Sequence, residues 1–179
     1  MNYIFPTIFI ILVLIWTILY ILSIISYFKN WIPQISTFNS DFKIMKKWLK
    51  KYNLKWKKIL DMWSWIWKVT RFFEKTFWTK TYWCEIDFSN YIISKIINKL
   101  FWYNTKFQRW NYLKIDLKKY DYIYIYLFPK IINKAEKRIW KNAKKWTIIF
   151  SNAFKFLNHK PIEILIDNKW KEEVYIYKV

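Results

Sequence analysis

The sequence contains no glycine. At an average usage of ~7%, a chain of 179 residues would carry about 12. Without glycine no residue adopts positive φ at low cost, so tight turns, helix C-caps and close backbone approaches to a ligand become hard to build. Cysteine is almost as scarce. Cys84 stands alone, which excludes an intramolecular disulfide and is compatible with a reducing compartment. The single histidine, His159, leaves no Cys/His/carboxylate cluster with metal-ligand spacing, so no metal site is expected. No Ser–His–Asp arrangement is supported either, and His159 in "NHKP" reads as a turn residue rather than a base. Acidic residues are few: 12 against 32 Lys and Arg, a formal net charge of +20. Such a balance suits nucleic acid or an anionic membrane surface. Yet no basic run forms a distinct arm, and abundant Lys, Asn, Ile, Tyr and Phe is what an AT-rich genome produces. The charge is therefore read as keeping the domain soluble and drawing it to an anionic membrane face.

Tryptophan is in surplus as glycine is in deficit: the chain carries 14. The two anomalies are similar in size, which suggests that a codon meaning glycine in the source organism is rendered here as tryptophan. UGA is the natural candidate, because some bacterial lineages read it as glycine. The alternative is a genuinely tryptophan-rich membrane protein.

Residues 4–27, "IFPTIFIILVLIWTILYILSIISY", carry no charge and are long enough to span a bilayer. There is no basic n-region, the apolar run is too long for a signal peptide, and no small-residue cleavage site follows, so an uncleaved anchor over residues 1–30 is expected. Nearly all Lys and Arg follow it, which places the C-terminal domain in the cytoplasm by the positive-inside rule, as a single-pass protein of the cytoplasmic membrane. Residues 31–55 hold a linker with Pro33 and an amphipathic helix, "SDFKIMKKWLKKY", with Asn39 or Ser40 as N-cap and Phe42, Met45 and Leu49 on one face.

From residue 56 to 179 the pattern alternates. Strand 57–62 leads into helix 68–77, strand 81–86 into helix 89–101, then strand 106–110 follows. Strand 120–128 precedes helix 130–140, strand 145–154 comes next, and "IEILID" and "EVYIYKV" close the chain as a hairpin. Strands alternating with helices predict an α/β, Rossmann-like, doubly wound and mostly parallel seven-stranded sheet ending in a β-hairpin. Several tryptophans stand where glycine belongs. Trp78, Trp102 and Trp146 lie just past a helix or before a strand, and Trp170 lies in the hairpin turn. Trp16, Trp48 and Trp140 lie within helical segments and read as genuine tryptophans.

With glycine restored, residues 59–67, "ILDMWSWIW", become I-L-D-M-G-S-G-I-G. An acidic residue closes the first strand, and a glycine-rich turn opens a helix. That is a nucleotide-type fingerprint at the switch point of a doubly wound sheet. Glu85 ends the second strand 24 positions after Asp61, close to the ~20-residue offset at which a carboxylate accepts ribose hydroxyls.

The D-x-G-x-G-x-G order resembles motif I of the class I S-adenosylmethionine-dependent methyltransferases. The blocks "IPQISTFN", "EID", "RWNYLKIDLKKYD", "YIYIYLFPK", "KKWTIIFSNAF" and "HKPIEI", in that order over residues 31–179, resemble the small membrane-anchored relatives of the ATP synthase c-subunit lysine N-methyltransferase. The resemblance implies S-adenosyl-L-methionine as cofactor and the lysine of a protein, itself in the membrane, as acceptor. It assigns Asp61, Trp63, Ser64, Trp65 and Trp67 to the methionine part and ribose, Glu85 to the ribose hydroxyls, Asn111 to the adenine side, and Tyr126 and Pro129 to the border of the transferred methyl. The family's acidic residue near adenine is replaced by Asn111. Two other readings stay open: methylation of a lipid or quinone head group, and a non-catalytic basic membrane-anchored protein, such as a nucleic-acid tether. In the literal chain, indoles would fill the cofactor loop and abolish binding.

Overall fold

The structure is a computed structural model and describes residues 4–30, 39–63, 68–108, 111, 114–167 and 172–179. The predicted cofactor-loop residues Ser64, Trp65 and Trp67, the linker with Pro33, and Trp170 lie outside these residues.

Helix α1 (Ile4–Asn30) is apolar all round, and its described side chains are exposed apart from half-buried Leu19. Ile4–Leu22 is long and apolar enough to cross a membrane. Helix α2 (Asn39–Leu49) turns Met45 and Leu49 into the core, as its apolar spacing predicts. The remaining elements are β1 (Lys58–Asp61), α3 (Lys68–Phe77), β2 (Lys80–Cys84), α4 (Phe88–Leu100), β3 (Lys106–Gln108), β4 (Tyr122–Ile125), α5 (Pro129–Asn142), β5 (Ile148–Asn152), β6 (Glu163–Asp167) and β7 (Glu172–Lys178).

The seven strands form one sheet in the order β3-β2-β1-β4-β5-β7-β6. The pairs among β1 to β5 are parallel, while β7 runs antiparallel to both β5 and β6. Alternation along the strands divides the core in two, because successive side chains point to opposite faces. Leu60, Ile123, Ile125 and Ile149 pack with Ile132, Ala135 and Ile139 of α5. Ile59, Tyr122, Tyr124 and Phe150 pack with Val69 and Phe73 of α3 and with Met45 and Leu49 of α2. Both faces are covered, so the sheet is doubly wound.

Two predicted strands end earlier than the sequence suggests. Tyr120 does not join β4; its backbone N–H closes a 3-10 turn (Leu117–Lys119) on the Leu117 carbonyl. Tyr126 to Phe128 leave the sheet before Pro129 opens α5. Segment 145–154 is strand only over β5, because Trp146 and Ala153 at its two ends have φ of 75° and 62°.

Positive φ is where the glycine deficit becomes structural. Five described non-glycine residues have it, and four are tryptophans: Trp56 (62°), Trp78 (56°), Trp102 (56°) and Trp146 (75°). Each sits at a position with a known demand for glycine. The Trp78 N–H bonds the Glu74 carbonyl just past α3, the αL type of helix C-cap. Beyond α4, Phe101 N–H bonds Ile97 O and Tyr103 N–H bonds Asn98 O, which makes Trp102 the left-handed residue of a Schellman-type cap. The turns closed by Lys57 N–H on Leu54 O and by Thr147 N–H on Lys144 O put Trp56 and Trp146 third of four, the type II position that requires positive φ. All four indoles are largely exposed, so burial returns little for the backbone strain of order 1–3 kcal/mol at each. Trp140 behaves otherwise. It is helical, stacks on His159 with centroids 3.6 Å apart, and meets Phe156 and Tyr177 edge-on.

Candidate active site

The C-terminal ends of β1, β2 and β4 bring together most of the predicted residues. Asp61 closes β1, pairs in register with Trp83 of β2 and Tyr124 of β4, and is buried. Its Oδ1 accepts from the backbone N–H of Trp63 at 3.1 Å, so the carboxylate holds the first residue of the predicted cofactor loop. Trp63 itself is half-buried against the α5-side core.

Glu85 follows β2 directly. Its backbone N–H bonds Gln108 O at the end of β3, and its carboxylate accepts from the Asp87 backbone N–H at 2.8 Å. The side chain is buried. Burial pushes its pKa up, hydrogen bonds from the Asp87 and Ile86 backbone oppose that only in part, and the charges of Asp87 and Asp61 add to the rise, so it stands at about 8 instead of the ordinary 4.5. A buried carboxyl with a raised pKa at a strand end is a candidate ligand-binding group. Asp87, which the sequence reading did not single out, is the N-cap of α4: its Oδ1 accepts from Asn90 N–H at 2.8 Å and from Ser89 Oγ at 2.6 Å. It fixes the turn carrying Glu85.

Tyr126 lies half-buried just past β4, and Pro129 is exposed in the first turn of α5. Between them Phe128 joins a ring cluster that sequence reasoning missed. Phe154 beyond β5 lies 6.3 Å from Tyr126 and 5.8 Å from Phe128, centroid to centroid. Its place depends on the positive φ of Ala153 and on Ser151 Oγ donating to the Phe154 carbonyl, and no local pattern announces either. Asn111 is half-buried beyond β3, and Lys114 N–H bonds its carbonyl. Four groups therefore mark one end of the sheet: Asp61, Glu85, the Asn111 segment and the Tyr126–Phe154 rings. His159 is not among them. It contacts Glu136 and stacks on Trp140 in the bend before β6.

The fit to a nucleoside-bearing cofactor is good at Glu85 and poor at two indoles. Trp83 is buried beside Asp61 in register, and its Nε1 has no hydrogen-bond partner among the described residues. A buried donor left so costs about 1–3 kcal/mol. Trp63 puts a large, half-buried ring at the start of the loop that the sequence expects to approach a cofactor.

A groove of about 730 Å³ lies at the opposite, N-terminal end of the strands, lined by Lys58, Lys80 and Lys106 together with Trp56, Trp78 and Trp102. Three of its walls are the positive-φ indoles, so its shape depends on side chains that the backbone does not favour.

No family model matches the chain, and no curated protein matches its sequence. Solved structures match its fold. An RNA methyltransferase from Salinibacter ruber, in complex with S-adenosyl-L-homocysteine, superposes with a TM-score of 0.72 at 16% identity over 81% of this chain and 94% of that one. A SAM-dependent O-methyltransferase from Thermotoga maritima gives 0.62 at 9% identity, covering 86% and 70%. A tRNA methyltransferase from B. subtilis gives 0.61 at 11% identity, covering 80% and 67%. At these identities the likeness is one of fold: the chain has the Rossmann-like architecture of SAM-dependent methyltransferases.

Proposed function

We propose that the protein is a membrane-anchored methyltransferase that uses S-adenosyl-L-methionine and N-methylates lysine on a membrane protein. The observation that carries this reading is Glu85, a buried carboxyl of raised pKa at the tip of β2, one strand from Asp61 in a sheet of methyltransferase topology. Glu85 would accept the ribose hydroxyls, and Asp61 would hold the loop from Trp63 to Trp67 around the methionine part. The cofactor, when bound, supplies an already activated methyl group. The protein then has to align the acceptor and keep it dry and neutral. The half-buried rings of Tyr126, Phe128 and Phe154 offer an apolar border that favours an uncharged amine over an ammonium ion. Helix α1 would confine the domain to the surface where such a lysine lies, raising its effective concentration.

The same reading takes glycine as the native residue at most tryptophan positions. Support comes from the left-handed backbone at Trp56, Trp78, Trp102 and Trp146 and from the unpartnered Nε1 of buried Trp83. Trp56 extends the set reached from sequence. Peptide mass spectrometry on the native protein tests it directly: tryptophan at Trp63, Trp65 and Trp67 would end the idea.

The decisive functional test is binding of S-adenosylmethionine by the chain with glycine restored, and its loss on Glu85→Ala. No binding by the restored chain would sink the methyltransferase reading. Radiolabelled methyl transfer to membrane extracts, split into protein, lipid and RNA fractions, then identifies the acceptor class. Label in protein upholds lysine methylation, and label in lipid or RNA replaces it.

A further inference from the structure

Helix α4 leaves much of its apolar surface uncovered. Its two buried side chains are serines, Ser89 and Ser94, whereas α5 buries Ile132, Ala135 and Ile139 and α3 buries Val69 and Phe73. Of its large apolar residues, Phe88, Ile96 and Leu100 are exposed, while Ile92, Ile93 and Ile97 are half-buried. Phe88, Ile92, Ile96 and Leu100 recur every fourth position and so share one stripe. Ile96 and Leu100 are 52% and 65% exposed, and Phe101 continues the apolar surface at 64%. Along one border of the stripe run Tyr91, Lys95 and Lys99, again four apart, with the Lys95 ammonium 5.5 Å from the Tyr91 ring centroid.

We infer that this face of α4 seats in the surface of an anionic bilayer. Over 13 residues, ~20 Å of helix, it offers an apolar strip edged by lysines whose stems lie along lipid while their ammonium groups reach the phosphates. A net charge of +20 favours the anionic surface over a neutral one. Position agrees as well: α4 neighbours α1, the helix apolar enough to cross the membrane. Trp102 is left out of the face, because its backbone marks a glycine site.

The seat has a functional direction. Helix α4 starts three residues after Glu85, and Ile86 between them is exposed. Lipid contact by α4 therefore brings the rim of the Asp61–Glu85 site to the membrane surface, where acceptors protruding only slightly from the bilayer can reach it. The inference rests on the membrane-anchored reading, and its test separates the two. Buried Cys84 is the only cysteine, so single reporter thiols can be placed elsewhere.

The experiment places a spin label at Leu100→Cys, Leu14→Cys or Lys141→Cys in the full chain, reconstituted in vesicles of phosphatidylglycerol and phosphatidylcholine. Collision with apolar oxygen is compared with collision with a water-soluble nickel chelate. The label at position 100 is expected to favour oxygen, and to shift toward nickel when Lys95→Glu and Lys99→Glu are added; the label at 141 stays with nickel throughout. A label at 100 that favours nickel, or that is shielded from both by a protein partner, overturns the seat whatever position 14 reports. Position 14 decides the anchor separately: nickel there with oxygen at 100 would leave the seat standing and remove the span.

Discussion

Glu136 and Glu85 are both buried carboxylates, and the fold treats them in opposite ways. Glu136 on α5 receives donors from three successive residues of the bend before β6: Leu157 N–H at 3.2 Å, Asn158 N–H at 2.8 Å and Nδ2 at 3.0 Å, and His159 Nδ1 at 2.7 Å. Burial works against its charge, but these bonds outweigh it and its pKa falls below the ordinary value. Glu85 has only backbone bonds, from Asp87 and Ile86, and burial wins. The contrast separates two uses of a buried acid. One is held by four donors and ties a loop down; the other keeps a raised pKa beside Asp61 at the end of the sheet, where the proposed function has a ligand complete it.

The largest effect should come from pH. The folded pKa of Glu85 is raised to about 8, so its contribution to stability is complete below about 4.5 and is lost as pH rises through 8. Relative to Glu85→Gln, the wild-type chain should lose stability across that window, at up to about 1.4 kcal/mol per pH unit and several kcal/mol in total. Denaturant titrations of the ligand-free protein in detergent measure it. Parallel curves for the two proteins would mean that Glu85 is as well satisfied as Glu136, and the contrast would collapse.

Next in size, Glu136→Ala should destabilise by about 2–4 kcal/mol, since the Leu157 and Asn158 N–H groups lose their acceptor. Glu85→Ala should leave the fold intact and instead weaken S-adenosylhomocysteine binding, on the order of 10–100-fold for loss of a buried hydrogen-bonding carboxyl, read by calorimetry on the glycine-restored chain. If Glu85→Ala unfolds the protein and Glu136→Ala does not, the two roles are reversed.

The smallest effects sharpen the same distinction among tryptophans. Trp56→Gly, Trp78→Gly, Trp102→Gly and Trp146→Gly should each raise stability by about 1 kcal/mol through relief of the left-handed backbone. Trp140→Gly should lower it, because that indole packs on His159, Phe156 and Tyr177. Melting curves of the five variants give the signs.

How much of this was legible in sequence depended on whether the signal was local. Helix 68–77 coincides with α3, because a short amphipathic segment between two strands has one reading. Asp61 and Glu85 were legible because strand ends and their offset place them. The overlong strands 120–128 and 145–154 failed at Tyr120, Trp146 and Ala153, where turn geometry, not hydrophobicity, sets the boundary. Trp56 escaped notice among lysines with no flanking helix to mark a cap. Phe154 was illegible as part of the ring cluster, since its approach to Tyr126 and Phe128 joins residues more than one strand apart in the chain. The uncovered apolar surface of α4 was hidden for the opposite reason: an apolar helix looks like core until the structure leaves part of it exposed.

The groove at the N-terminal end of the strands carries a practical consequence. Its rings at Trp56, Trp78 and Trp102 would make protein produced with tryptophan at those positions fluorescent and dye-binding there, and prone to self-association. Protein carrying glycine there would lack those three rings and the trough they wall. A small aromatic compound caught in that trough would then report how the message was decoded, and its affinity would say nothing about what the native chain recognises.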